Sequence, residues 1–352
     1  MSETVQRNTG VAGGPPDGQR RGNGLSAHLS GASQLFIRQR EGTVFVVVVL
    51  LVIYFGFISS ASSAFFTKLD IINISQIAAP IAIIAIGEVL LLICGEIDLS
   101  AGFTYAFAPF LMHYLIDFYG VPAVPAILLA LLMGVIVGWV NGFFTVTMGL
   151  PSFITTFGTA FILYGLVLYT SRAEPVSPVS PPAQGIGHWI GTYAWAEITW
   201  TIIFVVIFHI VLTRTRWGLH TIATGGNRLA ASEAGIKVSR IKYGNFMITG
   251  FLAAFVGVMV AFQLNDIDPS AGGFNAMFYA VTAAVIGGTA MLGGSGTILG
   301  AFLGALVLAV LTDGFDVMGI SANVVYVILG AAILLAMVAN VQLARLRAAG
   351  RA

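Results

Sequence analysis

The stretch LLLICGEIDLSAGF, Leu90 to Phe103, sets two carboxylates, Glu96 and Asp98, against one of the most apolar runs in the chain, and a third acid, Glu88, precedes them by about two helical turns. A carboxylate at the centre of a lipid-facing helix opposes insertion by about 2.5 to 3.5 kcal/mol, so three together oppose it by roughly 8 to 10 kcal/mol. They must therefore face protein or water. On a continuous helix Glu88 and Glu96 lie roughly 80° apart, while Asp98 lies about 200° from Glu96. If Gly95 ends the helix, Glu96 and Asp98 leave helical geometry and side chains such as Ser100 can meet the freed amides. Two roles stay open for Asp98. Asp98 or Ser100 caps a following helix that starts near Ala101, or Asp98 lines a polar pathway in which a hydroxyl-bearing solute offers it donors.

Other chemistry finds little support. No G-x-x-x-x-G-K-[ST] occurs, and the only lysines are Lys68, Lys237 and Lys242, so the chain has no phosphate-binding loop of its own. His28, His113, His188, His209 and His220 are scattered without metal-ligand spacing, so no metal site is expected. There is no G-x-S-x-G and no nucleophile paired with a base. The single Cys94 has no disulfide partner within the chain and reads as a small core residue.

The elements that hold the acids follow from composition. Hydrophobic residues make up 57% of the 352 and charged residues 9%, against roughly 45 to 50% and about 25% in soluble domains. Apolar runs near the roughly 20 residues that cross a bilayer as helix recur along the chain, whereas barrel strands would alternate. The expected fold class is an all-α, polytopic membrane protein. Ten spans are expected, at about 43–66, 71–94, 101–119, 122–147, 152–170, 197–213, 243–263, 275–292, 297–313 and 322–342. The second is long and the ninth short and Gly-rich, which suggests broken or tilted helices.

Charge placement orients them. Fourteen of the 16 Lys and Arg fall before the first span, between 214 and 242, or at the C-terminus, and only Lys68 and Arg172 lie elsewhere. By the positive-inside rule these three regions are cytoplasmic and the span count is even. Asp70, Asp117, Glu174, Glu197, Asp266, Asp268, Asp313 and Asp316 fall in the segments left for the outer side. Residues 1–42, rich in Gly, Ser and Arg, read as a disordered cytoplasmic tail, residues 43–342 as the membrane domain and 343–352 as a C-terminal cytoplasmic tail. ASSA at 61–64 imitates a signal-peptidase site, but the long preceding tail and the length of the apolar run argue against cleavage.

Two connections are long. The outer one, 171–196, holds Pro175, Pro178, Pro181 and Pro182 and then Trp189, Tyr193 and Trp195, which reads as a stiff loop and an interfacial helix. In the inner one, 214–242, Asn227 is a good N-cap, RLAASEA suits two helical turns and Gly235 is a natural stop. Arg228 near its positive end and Glu233 near its negative end are each unfavourable by roughly 0.3 to 1 kcal/mol, so local stability does not explain them and a partner surface can. Gly296, Gly300 and Gly304 form one helix face for close packing, within the monomer or against another subunit.

Four stretches together resemble the permease subunits of ribose-type ABC sugar importers: GEIDLSAG from Gly95, NGFFTVTMGLPSFITTFGT from Asn141, GGNRLAASEAGIKVSRIK from Gly225, and the Gly-rich AVIGGTAMLGGSGTILGAFLGALVLAVL from Ala284. The similarity covers roughly residues 45–340. Two departures stand out: Glu96 occupies a position where Gly is common, and GGFNAM from Gly272 lacks acids often found there. The resemblance implies a substrate pathway drawing on Glu88, Glu96, Asp98, Ser100, Asn141, Phe153, Thr155 and Thr156. It implies that Asn227, Arg228, Ala231, Glu233 and Gly235 form a coupling helix seated on a cytoplasmic ABC ATPase. The implied partners are a second permease subunit, that ATPase and a periplasmic or lipid-anchored sugar-binding protein, with no nucleic acid. No cofactor is expected in this chain, because ATP is used by the partner. The implied location is the bacterial inner membrane with both termini cytoplasmic. The rival is a proton-coupled secondary transporter using Glu88, Glu96 or Asp98, against which ionisable residues are nearly absent from the deep parts of the last five spans. An intramembrane enzyme lacks a recognisable catalytic set.

Overall fold

Inside a bilayer backbone N–H and C=O groups have no water to bond, so apolar runs close their hydrogen bonds within themselves, here as helices. The computed structural model describes residues 40–60, 64–177 and 179–349. Among these residues there is no strand, and the one β-bridge joins Val176 to Ile267. The helices are α1 (Arg40–Ile53), α2 (Lys68–Ile93), α3 (Ala101–Asp117), α4 (Ala123–Gly142), α5 (Ser152–Ser171), α6 (Ala196–Arg214), α7 (Arg216–Gly226), α8 (Arg228–Glu233), α9 (Val238–Leu264), α10 (Gly273–Ile286), α11 (Ile298–Val317) and α12 (Ala322–Ala349). Wider π turns, Tyr54–Ile58 and Phe143–Thr147, extend α1 and α4.

Among the described residues, seven helical segments are long and apolar enough to cross a membrane: α1 and α4 with their π turns, α2, α5, α6, α9 and α11. Of the other expected spans, α10 and the 323–335 part of α12 are apolar but shorter. The third, α3, is 17 residues long and carries His113 and Asp117 in its last turns. The second and ninth expected spans are unbroken helices, and α11 runs on to Val317, four residues past the predicted end at 313. The expected tail 1–42 lies outside the described residues except for 40–42, which already belong to α1. Helix α12 runs through the start of the expected C-terminal tail as far as Ala349, because QLARLRAA contains only good helix formers. The expected interfacial helix after Pro181 is a series of short turns, Pro181–Ala183, Gln184–Gly187 and the wider turn His188–Thr192, with Trp189 exposed.

The middle of the bundle is α2, whose residues from Ala78 to Ile93 are almost all buried, flanked by α9 and α11. A helix apolar on every side belongs there. By contrast α1, α4, α5 and α6 keep outward faces of Leu, Ile, Val and Phe, the composition that suits lipid. Small residues set the closest crossings. A Cβ on Gly134 of α4 would stand 2.2 Å from the Gly250 carbonyl oxygen of α9, and one on Gly250 would stand 2.0 Å from that of Gly134. In the same way Gly300 and Gly304 of α11 press on Gly287 and Ala283 of α10, while Gly296 lies before α11 rather than on its face. The glycine face of this hairpin is thus consumed within the monomer.

The ends of the bundle differ. One carries the 214–242 connection. The other carries the acids assigned from sequence to the outer side, of which Asp70, Glu197 and Asp313 are buried; the Asn73 amide donates to Asp313, and the exposed Asp117 pairs with His113 and accepts from Ser180. Replacing Gly250 by Val forces α4 and α9 apart, and overpacking of this kind costs about 1 to 3 kcal/mol. Thermal melts of the detergent-purified chain should show a clearly lower midpoint for Gly250→Val, while Gly158→Ala, which meets nothing within 4 Å, leaves it unchanged.

Candidate functional site

The segment from Gly95 to Ser100 is non-helical backbone, exposed at Gly95 and buried from Asp98 to Ser100, and its amide hydrogens must each find an acceptor. All do. Gly95, whose φ of +72° suits a residue without Cβ, ends α2 with its N–H on the Leu92 carbonyl, and the Glu96 N–H reaches Leu91. The Ile97 N–H donates to Ser152 Oγ at 3.3 Å and the Leu99 N–H to Thr156 Oγ1 at 3.0 Å, both on α5. The Asp98 N–H points back to Glu88 Oε2 on α2, at 3.4 Å. Pro151 and the short hydroxyl side chains at 152 and 156, one turn apart, place α5 where these donors emerge.

Asp98 is completely buried. Its Oδ1 accepts from the Ser100 N–H at 2.9 Å and from Ser100 Oγ at 2.6 Å, and Asn141 Nδ2 on α4 donates to Oδ1 and Oδ2 at 3.2 and 3.3 Å and to Ser100 Oγ at 2.8 Å. The carboxylate therefore closes a turn ahead of α3 rather than capping its first free amides. Ser100 stands at the cap position of α3 without a side-chain cap bond; its carbonyl instead receives Thr104 Oγ1 at 3.0 Å. Glu88, Asp98, Ser100, Asn141 and Thr156 are thus brought together. Phe153 is outside this network, half exposed and stacked on Phe157, and Thr155 is buried with its Oγ1 unpaired. Glu88 Oε1 and Asn141 Oδ1 are also buried without a partner among the described residues.

Glu96 points the other way. It forms an ion pair with Lys242 of α9, with both side chains about nine-tenths buried. This pair supplies the reason for an acid at a position where Gly is common. Around it, the end of α2 is a junction. The Ile93 carbonyl accepts the Gly294 N–H at 2.8 Å, and Gly225 of α7 packs so closely that a Cβ there would stand 1.5 Å from that oxygen. Asn245 of α9 donates to the Leu90 carbonyl at 3.1 Å and accepts from Trp217 Nε1 of α7 at 2.9 Å.

Beyond the junction, α8 stands clear. Asn227 Oδ1 caps it through the Ala230 N–H at 3.0 Å, and Gly235 at φ +82° ends it, with the Ile236 N–H returning to the Ala231 carbonyl. Ala231 is buried against the protein, while Arg228, Leu229 and Glu233 face outward, Leu229 with 71% of its surface exposed.

Residues 70–337 match the family described as branched-chain amino acid transport system / permease component. A xylose/arabinose import permease protein of Sulfolobus acidocaldarius is 35% identical over 308 residues, which cover 86% of this chain and 85% of that protein. The chain belongs to this family of transport permeases. A fructose import permease protein of Rhizobium meliloti is 30% identical across 83% of the chain and 82% of its own length, and a ribose import permease protein of Bacillus subtilis 31% identical across 85% and 92%. No solved structure matches the chain.

Three residues of the permease's junction escape a reading of sequence alone: Ser152, Lys242 and Asn245. Lys242 carried a signal, as one of three lysines in the chain and the one that begins an apolar run. In the permease, Thr156→Val leaves the buried Leu99 N–H unpaired and lowers stability by about 1 to 3 kcal/mol, whereas Thr156→Ser keeps the bond. Lys242→Met strands a buried carboxylate at a cost of about 3 to 5 kcal/mol, and adding Glu96→Gln to Lys242→Met restores most of it. Melting midpoints of the four purified variants check both statements; a double variant no better than Lys242→Met contradicts the pairing.

Proposed function

We propose that this chain is the membrane-spanning permease subunit of an ATP-driven importer, passing a monosaccharide or sugar-like polyol delivered by a solute-binding protein. The observation that carries the reading is the match to sugar import permeases along more than four-fifths of the chain. The capped, outward-facing α8 supports it from the other direction: its Arg228 and Glu233 oppose the helix dipole and its Leu229 is bare, which suits a helix built to be covered.

In this reading the chain crosses the bacterial inner membrane ten times. The shorter α3 and α10 and the apolar part of α12 complete the seven long spans, and the basic 214–242 connection and both termini lie in the cytoplasm. A second permease subunit completes the pathway, a cytoplasmic ABC ATPase receives α8, and a periplasmic or lipid-anchored sugar-binding protein meets the outer loops 171–196 and 264–274. ATP is bound and hydrolysed by the ATPase, so this chain supplies pathway and lever. Within the predicted pathway set, Glu88, Asp98, Ser100, Asn141 and Thr156 hold the break behind the pathway wall, Thr155 is buried beside them, and Phe153 stands at its face. Glu96 with Lys242 ties that break to the helix that follows α8.

Reconstitution of the assembled complex in liposomes tests the function. Uptake of D-xylose, D-ribose or D-fructose that requires ATP and the binding protein is expected. Sugar uptake by this chain alone, driven by a proton gradient, would replace the reading with a secondary transporter in which Glu88, with its unpaired Oε1, takes up the proton. Gly235→Val, which forces a branched side chain into a left-handed backbone at a cost of about 1 to 2 kcal/mol, and Leu229→Asp should each abolish co-purification of the ATPase while the chain still inserts. Retention of the ATPase by both variants contradicts the role of α8.

A further inference from the structure

Gln76 on α2, Gln263 at the end of α9 and Asn275 on α10 converge with Tyr105, Tyr279 and Thr312 on a cavity of about 390 Å3, at the end of the bundle opposite the 214–242 connection. This volume lies in the range of about 300 to 1,000 Å3 usual for small-molecule sites. None of the residues predicted for the pathway lines it.

The chemistry of its wall is specific. The three amides and the two tyrosine hydroxyls make no hydrogen bond within the described chain; Gln76 and Gln263 are half-buried, and Asn275 is exposed at the rim. Pro80, which also lines the space, has no N–H to give to the Gln76 carbonyl one turn before it, and this withdraws the usual helical donor from a further acceptor. A primary amide presents two donors and one acceptor side by side, which matches a pair of neighbouring hydroxyls. The tyrosine rings and the aliphatic wall suit the C–H faces of a sugar ring.

Equally telling is what the wall lacks: none of its residues is charged. An amino acid would bring a carboxylate and an ammonium group against a wall that itself supplies no counter-charge for either. An uncharged polyol needs none. The description of the matched family names branched-chain amino acids, and this cavity is unsuited to them.

We propose that this cavity is the entry site for an uncharged, polyhydroxylated solute, held through neighbouring hydroxyls by Gln76, Gln263 and Asn275 before it passes deeper. The inference rests on the sugar-permease reading above and adds where, and by which groups, the solute is first held.

Cysteine protection in the full chain tests it. In a Cys94→Ser background, Asn275→Cys places one thiol at the rim, where a membrane-impermeant maleimide reaches it, and Gln263→Cys serves as a second reporter should the first misfold. D-xylose, D-ribose and D-fructose are each added in excess, with L-leucine as the contrast. At least one sugar is expected to slow labelling about ten-fold at roughly nine times its dissociation constant, the factor 1 + [L]/Kd, while L-leucine leaves it unchanged. In the assembled importer, Gln76→Ala should raise KM for that sugar about two- to ten-fold, the effect of losing one neutral hydrogen bond. Labelling as fast under each of the three sugars as without sugar, or protection by L-leucine, overturns the site. If the complex imports one of the sugars and labelling is nevertheless unprotected, the site is wrong and the function stands; import of L-leucine and of no sugar removes both.

Discussion

Six amide hydrogens set the terms for the rest of the bundle: those of Gly95 to Ser100, in the break between α2 and α3. Backbone that leaves the helix inside an apolar medium must find acceptors from elsewhere, or each unpaired group costs about 1 to 3 kcal/mol. The acceptors come from the preceding helix (Leu91, Leu92, Glu88), from α5 (Ser152, Thr156) and from the break itself (Asp98). Asn141 of α4 then fixes the Asp98 carboxylate. Four helices are therefore committed to one short turn, and Glu88 and Asp98 are acceptors before they are anything else.

The same turn is joined to the membrane surface. Glu96 engages Lys242 in the second turn of α9, and α9 follows directly on α8; Gly225 of α7 lies on the Ile93 carbonyl, and Gly294, ahead of α11, donates to it. A displacement of α7 thus meets the end of α2 through backbone packed on backbone at Gly225, whereas α8 reaches it through α9 and the Glu96–Lys242 pair. The ion pair is also well sheltered, so salt screens it little and it holds as a mechanical tie.

Much of this was legible in sequence because it follows from local chemistry. The stop at Gly95, the start of α3 at Ala101, the Asn227 cap and the Gly235 stop are each decided by one or two neighbouring residues. Long-range pairing was not legible. Nothing near Glu96 indicates a lysine 146 positions away, and nothing near Gln76 indicates Gln263 or Asn275 across a cavity, since these meetings are set by how three helices cross. The close crossings explain the other misses. Gly134 and Gly250 look unremarkable in their runs, yet their backbones touch, and α7 is hard to read in sequence because RWGLHTIATGG carries two terminal glycines and a β-branched pair, Thr221 and Ile222, that weaken its helical signal.

The distance in sequence between Glu96 and Lys242 has a consequence for how the molecule is made. At about 5 to 20 residues per second, the ribosome needs about 7 to 30 s to add the 146 residues that separate the two. Ser152 and Thr156 arrive after 55 and 57 residues, within about 3 to 11 s. Through that interval α2 and its acidic end exist without their partners, and lipid is a poor substitute for them. The nascent segment must therefore wait in a wetter or proteinaceous setting, beside the insertion machinery, until the downstream helices reach it.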